Sequence, residues 1–547
     1  MKIIIIGAGI AGLTVAHELV EKGFQVEVYE KSEVAGGMAR SVRTSKGVPS
    51  EHSWRAYAPF YFNTFEIMSR IPIKKKLCDY EKIERDIITF KGEKYDITDF
   101  VPKHPGGTII KKSLSTSDPL EKVWKDSNVA WHMKNPYVLS ILEKYKIGSE
   151  VPPDVLDNLA KSEIDFKLLT NKRDGDTSIS FIDYPYLAYL FVKYAIVHKR
   201  RNNETRLIDV VWPLQETSKQ YLINFLSGPG YGFEKTTIST NHFFCFIFQQ
   251  FYTGNRSWQV MNQPTSEAWI DPWVSYLKSK GVKFHFDSKL TSLTPDGAII
   301  NGELVQGDDY VSAIPPFIED SNIQISFRLG FNKKISFESH NIAFILLDSE
   351  YEITFYPQDE HWSKDVDLGP FVSLWSGTIT NNGKNAAKLR PSELIKEIKR
   401  QILQSKYIKD LISEDDIVYA ELFEDWYWDS KLERLVSKNP KWVNQVNEFR
   451  PLNITEYPNI WVAGAHTKTT IDVWCMESAV ESGKLASNLI LEKYNLKKCI
   501  VIDHDINIGK IDDPFYDMGL PHIIDCFLIT LVLFILFKTI KKISFIK

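Results

Sequence analysis

Two things are scarce in this chain, and each scarcity closes a line of interpretation. Only five of the 547 residues are cysteine (Cys78, Cys245, Cys475, Cys499 and Cys526), and no two of them form a CxxC pair. That scatter excludes a disulfide framework or a structural zinc site and reads as reduced, intracellular thiols. An excess of charge of either sign is also missing, since 66 basic and 70 acidic residues leave a formal net charge of -4. A nucleic-acid partner calls for a basic excess or stripe, so none is expected. Acidic substrates are not favoured either. The sequence carries no internal repeat and no low-complexity tract. Its first residues, MKIIIIGAGIAGL, do not read as a cleaved signal peptide, because the apolar run leads straight into a glycine loop.

What is present is a long, globular chain, 44% hydrophobic, which predicts two to four domains at about 100 to 200 residues each. Residues 1–30 alternate strand, glycine turn, helix and strand (KIIIIGAG, IAGLTVAHELVEKG, QVEVYE). This is the opening of a parallel, nucleotide-binding sheet, so the fold class is α/β with a Rossmann-type domain. Gly7, Gly9 and Gly12 form GxGxxG between strand and helix, and Glu30 ends the next strand. The glycines allow a tight turn and close approach of a pyrophosphate to the helix N-terminus, while the carboxylate accepts ribose hydroxyls. Gly36, Gly37 and Arg40, in GGMAR, follow just beyond.

With GGMAR the sequence resembles the flavin-dependent amine oxidase and phytoene desaturase superfamily, in which a GG-x-x-R element contacts the phosphates and ribityl chain of FAD. The resemblance extends to NIWVAGAHTKTTIDVWCMESAVESGKLASNLIL, Asn459 to Leu491, similar to the family's strand, AG, loop and ME-x-A-x-x-SG helix. By that likeness Gly464, Ala465, Met476 and Glu477 contact the flavin, and Leu290 corresponds by position to the residue whose backbone meets adenine. Ala465 and His466 stand where the family usually carries an acidic residue. A helix starting near Met476 aims its positive end at the flavin ring and favours the anionic reduced form. True amine oxidases commonly place an aromatic residue before the methionine; here Cys475 stands there, with Trp474 before it. GPGYGF (228–233) and the stretch 257–282 look instead like the desaturase side, whose substrates are apolar.

A second cofactor is implied by DIITFKGEKYDITDFVPKHPGG, followed by VAWHMKNPYVLSILEKYKIG. From about Glu81 to Gly148 this resembles the cytochrome b5 haem domain, which implies His104 and His132 as axial ligands of haem b. Filled axial positions suit electron transfer. The spacing of the two histidines is longer than usual for that family, and Met133 replaces its customary serine.

At the far end, Ile523–Phe537 is an apolar run of 15 residues followed by Lys538, Lys541, Lys542 and Lys547. As a helix it measures about 22 Å against a hydrocarbon core of about 30 Å. It reads as a single-span or interfacial membrane anchor, with the catalytic part facing the cytoplasm. The apolar stretch Phe181–His198 reads as a core helix or as the lining of a greasy channel.

The expected organisation is FAD-binding segments at 1–77, 261–325 and 451–499, a haem domain at 78–150, substrate-domain segments at 151–260 and 326–450, a linker at 500–520 and an anchor at 521–540. The expected function is an FAD-dependent oxidoreductase, desaturase- or dehydrogenase-like, acting on an apolar small molecule, with haem relaying electrons to or from a partner protein. An amine oxidase using oxygen, and a non-catalytic electron-transfer or scaffold protein, remain as alternatives. No side chain stands out as a catalytic acid or base, since hydride removal to a flavin needs chiefly placement.

Overall fold

The computed structural model describes residues 1–52, 55–73, 86–91, 93–97, 100, 120–126, 130–146, 154–160, 179–195, 205–220, 222–223, 239–240, 243–244, 258–315, 324–337, 344–346, 348–351, 353–363, 365–379, 386–438, 450–471, 475–504 and 511–544. The isoleucine run Ile3–Ile6 is too apolar to tolerate water on either face, and it becomes the central strand, Lys2–Ile6, of a five-stranded parallel sheet. The sheet order is Ile460–Val462, Asp309–Ser312, Lys2–Ile6, Gln25–Tyr29, Lys283–His285. Its strands come from three separated stretches of chain. Alternation along the central strand decides what covers each face. Ile3 and Ile5 pack under the helices Ile10–Val20 and Met476–Lys493. Ile4 and Ile6 point the other way, into a cluster with Tyr29, Ala298, Ile300, Tyr310 and Ile460 beneath the antiparallel strands Leu290–Thr294, Gly297–Ile300 and Glu303–Val305.

A second sheet is antiparallel, in the order Phe344–Ile345, Thr354–Pro357, Ser373–Ile379, Ile325–Phe331, Ile417–Leu422. Helix Pro391–Gln404 lies against it through Leu394, Ile398 and Ile402, spaced four residues apart on one helical face. In the insertion, the hairpin Ile87–Phe90 and Glu93–Asp96 and the helices Leu120–Asp126 and Pro136–Lys144 enclose a core of their own, with Ile88, Phe90, Tyr95, Ile97, Trp124 and Leu142. That small unit is tied to the flavin segment. Lys144 Nζ donates to the carbonyl of Ser69 at 2.9 Å and pairs with Asp154, while Tyr137 and Ile141 join the main core.

Three segments differ from their sequence-based expectation. The terminal helix runs Ile523–Ser544, 22 residues or about 33 Å, because Lys538, Lys541 and Lys542 continue the helix instead of ending it. Its apolar window is Ile523–Ile540, and none of it is buried. Residues 500–504 are docked against the fold: Ile502 N–H donates to Asn63 Oδ1 at 2.8 Å and His504 is buried. Helix Tyr184–Ala195 is not wholly core, for Leu187, Leu190 and Tyr194 are buried while Tyr184 and Val192 are exposed.

Candidate functional site at the glycine loop

The glycine positions are dictated by contacts, and two of them settle the turn. Gly7 has φ +103° and its N–H donates to the carbonyl of Tyr29 at 2.8 Å, folding the chain off the strand. A Cβ on Gly12 would lie 2.0 Å from the carbonyl oxygen of Gly7, so only glycine lets the helix start this close to the turn. Gly9 caps that helix without a side-chain hydrogen bond, which leaves first-turn N–H groups and the positive helix end open toward an anion.

GGMAR closes over the same loop. Gly36 N–H donates to the carbonyl of Ala8 at 2.8 Å, and a Cβ on Gly37 would sit 3.0 Å from Gly9 Cα. Glu30 is held above the loop by two backbone donors: Ala8 N–H to Oε2 at 2.8 Å and Ser32 N–H to Oε1 at 3.0 Å. A carboxylate offers about four acceptor positions, so lone pairs remain for a diol. Leu290 is half-buried in the cluster around Tyr29, two residues after Ser288, whose N–H donates to the carbonyl of Glu30 at 2.8 Å.

Arg40 is pinned rather than free. Its Nη1 donates to the carbonyl of Gly37 at 2.7 Å, its Nη2 pairs with Asp425 at 2.7 Å, and its guanidinium lies 5.8 Å from the Phe423 ring centre. Both members of that ion pair are buried. Below it, Arg55 donates to the carbonyl of Met38. Glu51 accepts from Thr265 N–H at 2.8 Å and Gln358 Nε2 at 3.3 Å; burial raises its carboxyl pKa, against the lowering pull of the Arg55 charge.

The C-terminal motif reaches the same end of the sheet. Gly464 has φ +154°, and its N–H donates to Ser482 Oγ at 2.9 Å. Asn453 Nδ2 also donates to Ser482 Oγ, at 2.9 Å, which couples the AG turn to the following helix. Gly483 lets that helix cross the first one, since a Cβ there would lie 2.8 Å from the carbonyl oxygen of Ala11. Ala465 is half-buried, and the buried His466 ring rests against Gly464. Burial, helped by the charge of Arg450, lowers the His466 pKa to about 4 and keeps it neutral. Met476 opens the helix, half-buried, behind Cys475, whose thiol is pushed up to about 11 by burial.

Glu477 is placed differently from Met476. Its Oε1 accepts from Asn63 N–H at 2.7 Å, and its Oε2 from Thr64 N–H at 2.8 Å and Thr64 Oγ1 at 2.6 Å. His504 Nε2 adds a contact at 3.0 Å. The carboxylate is fully buried and engaged by protein donors, so it pins the helix to Phe62–Ser69. Glu51, Asp425, Ser482, Asn453 and His504 were not singled out in the sequence. A serine or an aspartate carries no local pattern that announces a partner hundreds of residues away.

In the inserted unit, His132 lies on the short helix Ala130–Lys134, half-buried, its ring 5.4 Å from that of Trp124 and stacked on it. His104 lies outside the described residues, as do GPGYGF and Trp474. Among the described residues no three histidine, cysteine, aspartate or glutamate side chains are placed so that they could hold a metal ion.

Residues 5–71 match the NAD(P)-binding Rossmann-like domain, and residues 321–491 match the flavin-containing amine oxidoreductases. Each match covers a minority of the chain, and the overall fold is shared with an amine oxidase of known structure. A putrescine oxidase structure with bound putrescine covers 90% of this chain, and 99% of its own length, at TM-score 0.53 and 10% identity. The zeta-carotene desaturase of Synechocystis sp. is 35% identical over 77 residues, 14% of this chain and 16% of that protein. The chain spans no more than 27% of the zeta-carotene desaturases it matches. The 15-cis-phytoene desaturase of Narcissus pseudonarcissus aligns over 91% of this chain and 80% of its own length at 22% identity. A cytochrome b5-like protein of Acanthamoeba polyphaga mimivirus is 44% identical over 64 residues, 12% of this chain and 47% of that protein. The two family matches support FAD as the cofactor, and the cradle fits it: Gly12, where a Cβ is excluded, an open helix end, and Glu30 with acceptor capacity to spare.

Proposed function

We propose that this chain is a membrane-anchored, FAD-dependent oxidoreductase of the desaturase or dehydrogenase kind, acting on an apolar small molecule and carrying a haem b unit for one-electron exchange with a partner protein. The carrying observation is the convergence of Gly7–Gly12, Glu30 and Gly36–Arg40 at one end of a single sheet, with helix Met476–Lys493 packed at Gly483 against the first turn of helix Ile10–Val20. FAD when bound supplies a hydride acceptor, and haem when bound supplies a one-electron relay. The chain's own residues do the rest. Gly9 and the open helix end receive the pyrophosphate, Glu30 orients the ribose, and Arg40, locked by Asp425, holds the GG turn in place. Met476 opens its helix, whose positive end would favour negative charge on the flavin.

The desaturase reading draws on the carotene and phytoene desaturases among the relatives and on Cys475 in place of an aromatic residue. His104 and His132 are the proposed haem ligands. Support comes from the cytochrome b5-like relative and from His132 at the edge of an apolar core with Trp124. Helix Ile523–Ser544 is the proposed anchor, its lysines at the cytoplasmic headgroups.

A visible spectrum of the purified full chain in nanodiscs, before and after dithionite, tests this. Flavin bands together with a Soret peak are expected. Absence of the Soret peak removes the haem, and absence of flavin favours a vestigial pocket. Flavin reduction by fractions of a membrane lipid extract, rather than peroxide release with amines, is the expected activity.

A further inference from the structure

The terminal helix and helix Tyr184–Ala195 are separated by more than 300 residues, and one ion pair joins them. Asp525, in the first turn of helix Ile523–Ser544, receives Lys193 Nζ at 2.7 Å on Oδ2 and the hydroxyl of Tyr189 at 2.6 Å on Oδ1. Lys193 and Tyr189 are themselves in contact at 3.1 Å, one turn apart on the same helix. A carboxylate inside an otherwise apolar run is costly unless paired, and here the pairing fixes where the run meets the body of the protein. Nearby, Asp512 Oδ1 accepts from Ile523 N–H at 3.0 Å and His522 Nδ1 from Ile524 N–H at 3.1 Å. The helix therefore starts with two of its first-turn donors satisfied by the segment that leads into it.

The joined helix has an unusual outward face. Leu187, Leu190 and Tyr194 are buried, whereas the exposed positions are Tyr184, Pro185, Ala188 and Val192, all apolar and set on one side by their spacing. A helix facing water carries charges at such positions. The turn before it exposes Phe181 (86%) and Ile182 (65%). Asp183, between those residues and the helix, accepts from Gln215 N–H at 3.1 Å, which brings the exposed Trp212 loop alongside. Tyrosine and tryptophan are the side chains that settle at a headgroup boundary. Large exposed apolar patches mark a partner, and this one is continuous with the anchor through the ion pair.

We propose that the face formed by Phe181, Ile182, Tyr184, Val192 and Trp212 lies in the headgroup boundary of the same bilayer that helix Ile523–Ser544 enters, and that Asp525 with Lys193 and Tyr189 latches the two. The occupant is the lipid surface. The proposal rests on reading the terminal helix as an anchor. It adds a fixed pose: the body is held against the membrane by two contacts rather than tethered by one.

The full chain in nanodiscs containing a phosphatidylcholine with a diazirine in its acyl chain tests this, with lipid adducts mapped by mass spectrometry after illumination. Adducts are expected in Phe181–Val192 and at Trp212 as well as in Ile523–Ile540. Adducts confined to 523–540 overturn the docking face while leaving the anchor, whether the patch is bare or covered by a second copy of the chain. Adducts in neither place overturn the anchor reading beneath it. With Asp525→Leu, which keeps the terminal helix apolar, the yield at Phe181–Val192 should fall about fivefold at unchanged yield on 523–540. An unchanged patch yield overturns the latch.

Discussion

His504→Ala should be among the most damaging single substitutions outside the glycine loop. The His504 ring is fully buried between two buried carboxylates, Glu477 at 3.0 Å and Glu481 at 3.4 Å, and stacks on Phe62. Burial by itself would lower its pKa, but the hydrogen bonds and charges of Glu477 and Glu481 outweigh that and raise it from 6.5 to about 10. The imidazolium is therefore the native form at neutral pH. Removing it leaves two buried carboxylates without their cation, a loss of about 3–5 kcal/mol. The pKa difference converts to a ceiling of about 5 kcal/mol, of the same size. Because the folded pKa lies above the unfolded one, this stabilisation is whole below pH 6.5 and drains away as pH rises toward 10. Urea unfolding of the full chain in nanodiscs, followed by tryptophan fluorescence and flavin release from pH 6 to pH 10, measures it. Wild type should lose stability across that interval, and His504→Ala should start lower and change little. Parallel curves for the two proteins would refute the argument, since the titrating group would then lie elsewhere.

Three further outcomes are expected. Gly12→Ala, which forces a Cβ against the Gly7 carbonyl oxygen, should abolish flavin retention; the flavin-to-protein absorbance ratio after gel filtration reads this. Asp425→Ala strands the buried Arg40 charge and should cost about 3–5 kcal/mol, whereas the double variant Arg40→Ala with Asp425→Ala should cost less than the sum, a non-additivity visible in a double-mutant cycle. His132→Ala and His104→Ala should each remove the reduced low-spin haem spectrum without changing flavin content. Retention of that spectrum by either variant would show that the substituted histidine is not a ligand.

The chain order of strand, glycine turn and helix was readable because GxGxxG is a local device: its residues touch one another within a dozen positions, and their sterics are written in the sequence. The same holds for GGMAR, whose glycines must approach Gly9. An apolar run of isoleucines announces a strand buried on both faces, whatever surrounds it. Other features required the folded chain. Arg40 was visible, but not that Asp425 holds it, because an ion pair across 385 positions leaves no local pattern. Glu477 reads as part of a flavin motif, yet its carboxylate is taken by Asn63, Thr64 and His504, a set assembled only when helix Met476–Lys493 packs beside Phe62–Ser69. Residues 500–504 look like a polar linker from composition and become a strap, since docking depends on complementary acceptors elsewhere. Asp525 interrupts an apolar run in the sequence, and only the helix carrying Lys193 and Tyr189 gives that charge a purpose. Sequence by itself determined the glycine turns and the apolar segments, where short-range sterics and hydrophobicity decide. Tertiary structure decided which distant charges meet, because a buried ion pair is favourable only when folding brings both partners out of water together.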